Sequence, residues 1–248
     1  MHKHRQMIAM AACLAALFLV LWLLAIPLAA LPDPIGPAAE QFALGAQTTV
    51  ELTLCSGSAG LVLGMLAGVG KLAAFRPVRG ICTFYVWIMR GTPLLTQILF
   101  VYLALPVIVP SLKLTEFWSA VIALSLNVGA YNAEVIRSGV QNVPRGQVQA
   151  AQSLGLAPLQ TFFGVVLPQA MRFALPPLAN NVVALLKDSS LAYAIGVVEL
   201  NMIAQRVQAD SFQPVPVFAT VAVIYLLLTT AFTQFSAALE SRMRVARA

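Results

Sequence analysis

The residues most able to do chemistry in this sequence are polar side chains set within long apolar stretches. Asn127 lies in one such stretch, and Lys187 and Asp188 interrupt another. Polar groups are costly inside a bilayer and commonly mark substrate or ion pathways. We therefore predict that the following residues line or gate a translocation pathway: Asn127, Asn180, Asn181, Lys187, Asp188 and Ser189. For the asparagine pair 180–181, hydrogen bonding between helices is an equal alternative.

The Lys187-Asp188 pair allows two interpretations. Neighbouring residues on a helix point about 100° apart, so the two side chains cannot satisfy each other well. In the first interpretation, each side chain pairs with another group of the chain and the two form a structural gate. In the second, the helix breaks at this point. In a broken helix, Asp188 or Ser189 caps the second half, whose free N–H groups bind a substrate carboxylate.

The remaining residues give little support for an enzyme. The histidines, His2 and His4, lie in a short basic terminus, and Cys13, Cys55 and Cys82 lack metal-ligand spacing. No paired carboxylates, nucleophile elbow or phosphate-binding loop is present. We predict no catalytic residue, no metal site and no bound cofactor.

The composition predicts that membrane-spanning helices position these residues. Hydrophobic residues make up 60% of the 248 residues and charged residues only 10%, against about 25% in soluble domains. A membrane-spanning helix needs about 20 apolar residues. We predict an all-α, polytopic membrane protein with six spans, at 7–31, 44–70, 84–109, 116–136, 175–203 and 215–238. The net charge of +6 is spread between these spans, so no nucleic-acid partner is predicted.

Orientation follows from lysines and arginines near the span ends. With the N-terminus inside, eleven of the fifteen fall on the inner side, and Lys113 and Arg206 fall outside. Both termini are therefore predicted to be cytoplasmic. The span at 7–31 is longer than a secretory apolar region and is predicted to be retained, with a cleaved signal peptide as the alternative.

Smaller patterns predict local contacts. Gly60, Gly64 and Gly68 share one helical face, which allows a neighbouring helix to approach closely. Glu134 and Arg137 have the spacing of a helix-surface ion pair. Arg90 is predicted at the inner membrane boundary, either snorkelling or contacting the inner gate or the cytoplasmic segment that follows span four.

The cytoplasmic connection between Arg137 and Arg172 is polar yet regular. Pro144 and Gly155 bracket a run of good helix formers, and Pro158 opens a second short helix that extends to about Val166. The segment therefore predicts two short helices joined at a glycine and lying on the inner face.

This segment resembles the EAA loop of permease subunits of ATP-binding-cassette importers. Gln149-Ala150-Ala151 is followed at the family's spacing by Gly155, Val165, Leu167 and Pro168. Gln149 stands where the family usually has Glu, which removes a charge from the expected docking contact. Segments beginning at Arg90, Leu126, Pro176 and Leu186 resemble motifs of the branch that transports polar amino acids.

The resemblance implies an importer permease domain at 44–242 in a bacterial inner membrane, with its coupling loop at 138–170. Residues 1–43 add an N-terminal helix and outer connector to the family's five-helix core, and 243–248 form a cytoplasmic tail. The implied partners are a cytoplasmic ATPase dimer that holds ATP and magnesium, a second permease, identical or homologous, and an extracytoplasmic amino-acid-binding protein. The ATPase-docking residues are then Gln149, Ala150, Ala151, Gly155, Val165, Leu167 and Pro168.

Two rival functions have different requirements. A secondary transporter driven by an ion gradient needs buried polar groups but no docking helices. A membrane-embedded enzyme needs a catalytic cluster. The motifs favour an importer of polar amino acids without fixing which amino acid it carries.

Overall fold

The computed structural model describes residue 21 and residues 23–244, with side chains described through residue 238. Within these residues every regular element is helical. The helices of the first half are α1 (Ala25–Ala29), α2 (Ala39–Gly70), α3 (Arg76–Gly91), α4 (Leu94–Ile108) and α5 (Glu116–Gln141). Those of the second half are α6 (Arg145–Ser153), α7 (Pro158–Ile195), α8 (Leu200–Ser211) and α9 (Pro214–Arg244).

Four of these helices are long and apolar enough to cross a membrane: α2, α5, α7 and α9. The bent pair α3 and α4 supplies a fifth crossing if it is counted as one span. The predicted all-α membrane fold is confirmed at this level. The first predicted span, at 7–31, lies largely outside the described residues.

Close contact between α2 and α5 forms the centre of the bundle. A Cβ atom added at Gly60 would meet Val128, and one at Gly64 would meet the side chain of Asn132. At Gly68 it would come within 2.8 Å of the carbonyl oxygen of Ala133. The predicted glycine face is therefore confirmed as a helix-packing surface against α5.

The third predicted span, 84–109, differs in shape and length. Its helix begins at Arg76 and turns by 110° between α3 and α4. Pro93 lacks an N–H and has extended backbone (φ −63°, ψ 136°), which ends α3 and starts α4 in a new direction. Both α3 and α4 contact α5.

The second docking helix and the fifth predicted span form one element rather than two. Residues 158–195 are continuous, with a π-helical turn at Phe162–Val166. Pro168 follows that turn, whose wider spacing of hydrogen bonds accommodates a residue without an N–H. The helix also ends earlier than the predicted residue 203, because Gly196 adopts a left-handed conformation (φ 92°).

Beyond Gly196 the chain forms the short helix α8, capped by the Glu199 side chain. Buried residues of α8, the start of α2 and the start of α9 share one apolar core, which also receives Leu24 and Leu28. The described end of the first predicted span therefore packs onto this end of the bundle.

Candidate functional site

A polar cavity of about 370 Å³ opens where the bend between α3 and α4 meets α5 and α7. Three of the predicted pathway residues line it together, Asn127, Asn181 and Asp188. The remaining lining residues are Thr92, Pro93, Leu94, Val128, Tyr131, Ala184, Leu185 and Leu191. The cavity therefore combines amides and one carboxylate with an apolar wall.

A hydrogen-bond network fixes the bend beside the cavity. The Gln97 amide donates to the Met89 carbonyl (2.8 Å) and to the Thr92 hydroxyl (2.8 Å). Asn127 in turn donates to Gln97 Oε1 at 3.0 Å. These bonds satisfy carbonyls that the end of α3 leaves free and couple the bend to α5. Gln97 was not among the residues predicted from the sequence, although a glutamine just after Gly91-Thr92-Pro93 was a usable signal.

A second pair of amides joins three helices. Asn181 Nδ2 donates to Asn132 Oδ1 at 2.9 Å, and buried Asn132 donates to the Gly60 carbonyl at 3.4 Å. Asn181 therefore both bonds between helices and lines the cavity. Its neighbour Asn180 is exposed and does not line this cavity.

The predicted break at Lys187-Asp188 does not create a new helical N-terminus. The α-helical part ends at Asp188 and continues as a 3₁₀ helix, Ser189–Ile195. Asp188 makes no capping bond, and the buried Ser189 hydroxyl donates back to the Leu186 carbonyl at 2.8 Å. The anion-site alternative therefore lacks the free N–H groups it required.

Asp188 and Lys187 point to different surroundings. Both are exposed, but only Asp188 lines the cavity. Among the described residues, no side chain donates a hydrogen bond or forms a salt bridge to the Asp188 carboxylate. The cavity therefore presents one carboxyl group that is available to a ligand.

Arg90 lies beside this cavity rather than in it. Its guanidinium stacks over the Tyr131 ring, 5.2 Å from the centroid. It lines a neighbouring pocket together with Lys71 and Glu134. Tyr131 borders both spaces, so it separates the Arg90 cation from the carboxylate of Asp188.

An ionic cluster joins the ends of α2 and α5. Glu134 Oε2 accepts from Arg137 at 2.8 Å, which confirms the predicted pair, and Glu134 Oε1 accepts from Lys71. Arg137 also donates to Gln141 at 2.6 Å. The cluster fixes the end of α5 from which the chain enters α6.

The segment after α5 forms a compact, partly exposed unit. Val143, Val148, Phe162, Val166 and Ala170 pack α6 against the ends of α5 and α7. Gln149 and Ala150 are exposed, whereas Ala151 is buried. The two alanines, predicted to dock together, therefore differ in exposure, because adjacent residues on a helix point about 100° apart.

The turn after α6 presents apolar side chains to solvent. Gly155 has φ +80°, which suits glycine and closes the turn. Leu154 is 83% exposed and Leu159 is 71% exposed. Of the other predicted docking residues, Val165 and Leu167 are half-buried and Pro168 is exposed. No metal-binding group of His, Cys, Asp or Glu occurs in the described part of the chain.

These features define a helical membrane-transport component, with a polar cavity inside the bundle and an exposed helical surface at one end. Residues 60–245 match the family described as the binding-protein-dependent transport system inner membrane component. The chain belongs to this family.

Curated relatives are similar in sequence to this chain over most of its length. The glutamine transport system permease protein GlnP of Escherichia coli (strain K12) is 35% identical over 211 residues, covering 85% of this chain and 96% of the relative. The L-cystine transport system permease protein TcyB of Bacillus subtilis (strain 168) is 37% identical, covering 80% and 85%. Family membership favours the importer permease over a secondary transporter.

Solved structures show the same fold. A chain described under "Crystal structure of an amino acid ABC transporter with histidines" superposes with a TM-score of 0.78 at 31% identity, covering 83% of this chain and 95% of that one. An inward-facing MetNI methionine ABC transporter gives 0.70 at 21% identity, covering 86% and 99%, and supports the fold alone. The chain is therefore a multi-pass permease component of the inner membrane.

Proposed function

We propose that this chain is the permease subunit of an ATP-driven importer that carries a polar amino acid inward. The observation that carries the proposal is the exposed helical unit formed by α6 and the start of α7. A surface at the end of a membrane bundle that combines uncharged polar side chains with exposed leucines suits a protein partner. The names of the relatives, which transport glutamine, cystine or arginine, support an amino acid as cargo.

The docking surface comprises the exposed face of α6 and the turn that follows. On α6, the polar Gln149 and the small Ala150 form a shallow exposed face. Leu154 and Leu159 add exposed apolar side chains that can anchor a partner. Ala151 and Gly155 act indirectly, one by packing α6 onto the bundle and the other by closing the turn. Val165, Leu167 and Pro168 shape the start of α7 behind this surface.

The remaining partners follow from this division of labour. A cytoplasmic ATPase dimer binds ATP and magnesium, and this chain holds neither. A second permease, identical or homologous, completes the pathway, and an extracytoplasmic binding protein delivers the amino acid. In this arrangement both termini, the ionic cluster and α6 lie on the cytoplasmic side, and α8 lies outside.

The continuous helix α7 links docking to the pathway. Its first turns pack against α6 through Phe162 and Val166, and its far end carries Asn181 and Asp188 into the cavity. Interiors of packed helices respond to displacement by switching between discrete arrangements. Movement of α6 by the ATPase therefore shifts the cavity wall between inward-open and outward-open states.

We assign recognition of the cargo's ammonium group to Asp188. Its carboxylate faces the cavity without a protein donor, while Asn127 and Asn181 offer amides to a polar side chain or carboxylate. Ser189, whose hydroxyl bonds to Leu186, supports the helix at this point. Lys187, Asn180 and Arg90 lie outside the cavity and serve the surrounding bundle or gate.

The test uses the permease reconstituted in liposomes with its ATPase and binding protein. Uptake of the amino acid that stabilises the binding protein should require ATP. Asp188→Asn should lower uptake at least about 10-fold, because loss of a charge-assisted hydrogen bond costs about 1.5–3 kcal/mol. The comparison variant Lys187→Gln removes a neighbouring charge that lies outside the cavity, and it should lower uptake by less than Asp188→Asn does. Equal uptake by wild type and Asp188→Asn would remove Asp188 from the pathway, and uptake without ATP would refute the importer.

A further inference from the structure

A row of basic and aromatic side chains follows one face of α3. Arg76, Arg79, Thr83 and Trp87 recur at three- and four-residue intervals, which places them on a common side of the helix. With Gly80 and Phe84 they line an open groove of about 500 Å³, called here the α3 groove. The opposite side of α3 packs on the bundle through Val86 and Tyr85.

The cations of the α3 groove form no salt bridge with the described residues, and Glu134, which lines the adjacent pocket, is paired with Lys71 and Arg137. The sequence has no Asp or Glu between Lys71 and Thr115. The salt bridges of the described residues join Lys71 and Arg137 to Glu134, and none involves α3. Arg76 and Arg79 are exposed, so the groove presents two guanidinium groups that are accessible to an anion from outside this chain.

The aromatic residues of the groove are unusually open. Trp87 is 68% exposed and Phe84 is 60% exposed, with ring centroids 5.8 Å apart. Large rings exposed beside arginines are typical of the boundary between lipid tails and headgroups. The α3 groove therefore combines a charged part with an apolar part, as an amphiphilic ligand would require.

The position of α3 in the bundle places the groove at a membrane boundary. The helix begins six residues after α2 ends at Gly70, at the level where Lys71 meets Glu134. The 110° bend shows that α3 does not continue along α4. Arg76 and Arg79, in the first turn of α3, follow the end of α2 by six and nine residues and so stay near the same boundary.

We propose that the α3 groove binds an anionic phospholipid, with its phosphate held by Arg76 and Arg79 and its glycerol and acyl carbons against Trp87 and Phe84. Arginine donors match phosphate oxygens in geometry and charge. Thr83 lines the groove but does not donate to the phosphate, because its hydroxyl already donates to the Arg79 carbonyl at 2.7 Å. The inference rests on the proposed membrane position of the chain.

The experiment measures lipid retention directly and needs no transport. The assembled importer is purified in nanodiscs of phosphatidylcholine containing about one quarter phosphatidylglycerol, and retained lipid is identified by native mass spectrometry. Wild type should retain phosphatidylglycerol above its share of the mixture. Arg76→Gln with Arg79→Gln should weaken that retention roughly 10-fold, since each basic residue near an anionic surface adds substantially to binding.

Two control variants test whether retention depends on this groove rather than on total positive charge. Arg172→Gln removes an exposed charge from α7 and should leave retention unchanged, and Arg76→Lys with Arg79→Lys should keep much of it. Retention in proportion to the mixture by wild type, or equal retention by the double glutamine variant, would overturn the proposal. Loss of the partner subunits from the double variant in phosphatidylcholine alone would instead assign the groove to a protein contact and equally overturn it.

Discussion

Glu199 gives a prediction whose magnitude follows from the structure. The residue lies between the spans of α7 and α9, its side chain is fully buried, and its carboxylate accepts from the N–H groups of Asn201 and Met202, each at 2.8 Å. Burial raises the pKa of this carboxyl from 4.5 to about 7, against the opposing effect of its hydrogen bonds. The folded protein therefore binds this proton more tightly than the unfolded chain does.

The sign of the pH dependence follows from that difference. Below the unfolded pKa of 4.5 the stabilisation is fully present, and it is lost as the pH rises through about 7. The whole difference corresponds to about 3 kcal/mol, at 1.36 kcal/mol for each pH unit. Tyr225, which donates to Glu199 at 3.3 Å, is the titratable group facing it from α9, while Arg206 and Asp210 on α8 are exposed.

The assay is thermal denaturation in detergent between about pH 5 and about pH 8. Glu199→Gln stays neutral throughout, and its amide oxygen can still accept from the start of α8. The midpoint of wild type should fall relative to that of Glu199→Gln as the pH rises. Parallel profiles for the two proteins would show that the buried carboxyl keeps its ordinary pKa and would refute the reasoning.

Two further predictions concern the packing of the bundle. Glu134→Gln should lower stability by about 1–3 kcal/mol, because it leaves Lys71 and Arg137 without their shared carboxylate; Glu116→Gln, at an exposed contact with Tyr102, should have little effect on the same denaturation midpoint. Gly64→Ala should cost about 1–3 kcal/mol through collision with Asn132, whereas Gly80→Ala, with nothing within 4 Å of the added carbon, should be tolerated. Equal midpoints within either pair would contradict the corresponding contact.

Local patterns in the sequence predicted the helices and the glycine face well. Apolar runs located α2, α5 and α9, and the spacing of Gly60, Gly64 and Gly68 identified their packing role. The ion pair of Glu134 with Arg137 was also predictable, because both residues lie on one helix. Its third member, Lys71, comes from a separate helix, and spacing along the chain carries no information about it.

The shape of the third and fifth spans could not be predicted from hydropathy. Gly91-Thr92-Pro93 signalled a break, but the 110° turn depends on Gln97 and Asn127, whose bonds form only after α4 meets α5. Conversely, Pro168 suggested a boundary that the π-helical turn removes. Pro106 follows a similar turn at Phe100–Ala104, so these two prolines mark an adjusted helix rather than its end.

Candidate pathway residues were predictable by type but not by direction. Six polar residues were chosen because they interrupt apolar stretches, and three of them line the cavity. Lys187 and Asp188 are adjacent in sequence, yet only Asp188 faces it. Side-chain direction depends on how α7 is rotated against α5, and that rotation is set by packing between Asn132 and Asn181.

The most direct test of the account is a cross-link from the docking surface to the ATPase. A photoreactive residue replaces Leu154, which is 83% exposed, in the assembled importer in membranes. The account predicts an ATPase adduct from position 154 and none from position 226, where Leu226 is 65% exposed on α9. An importer that retains ATP-dependent uptake but gives no ATPase adduct from position 154 would contradict docking through α6 and its turn.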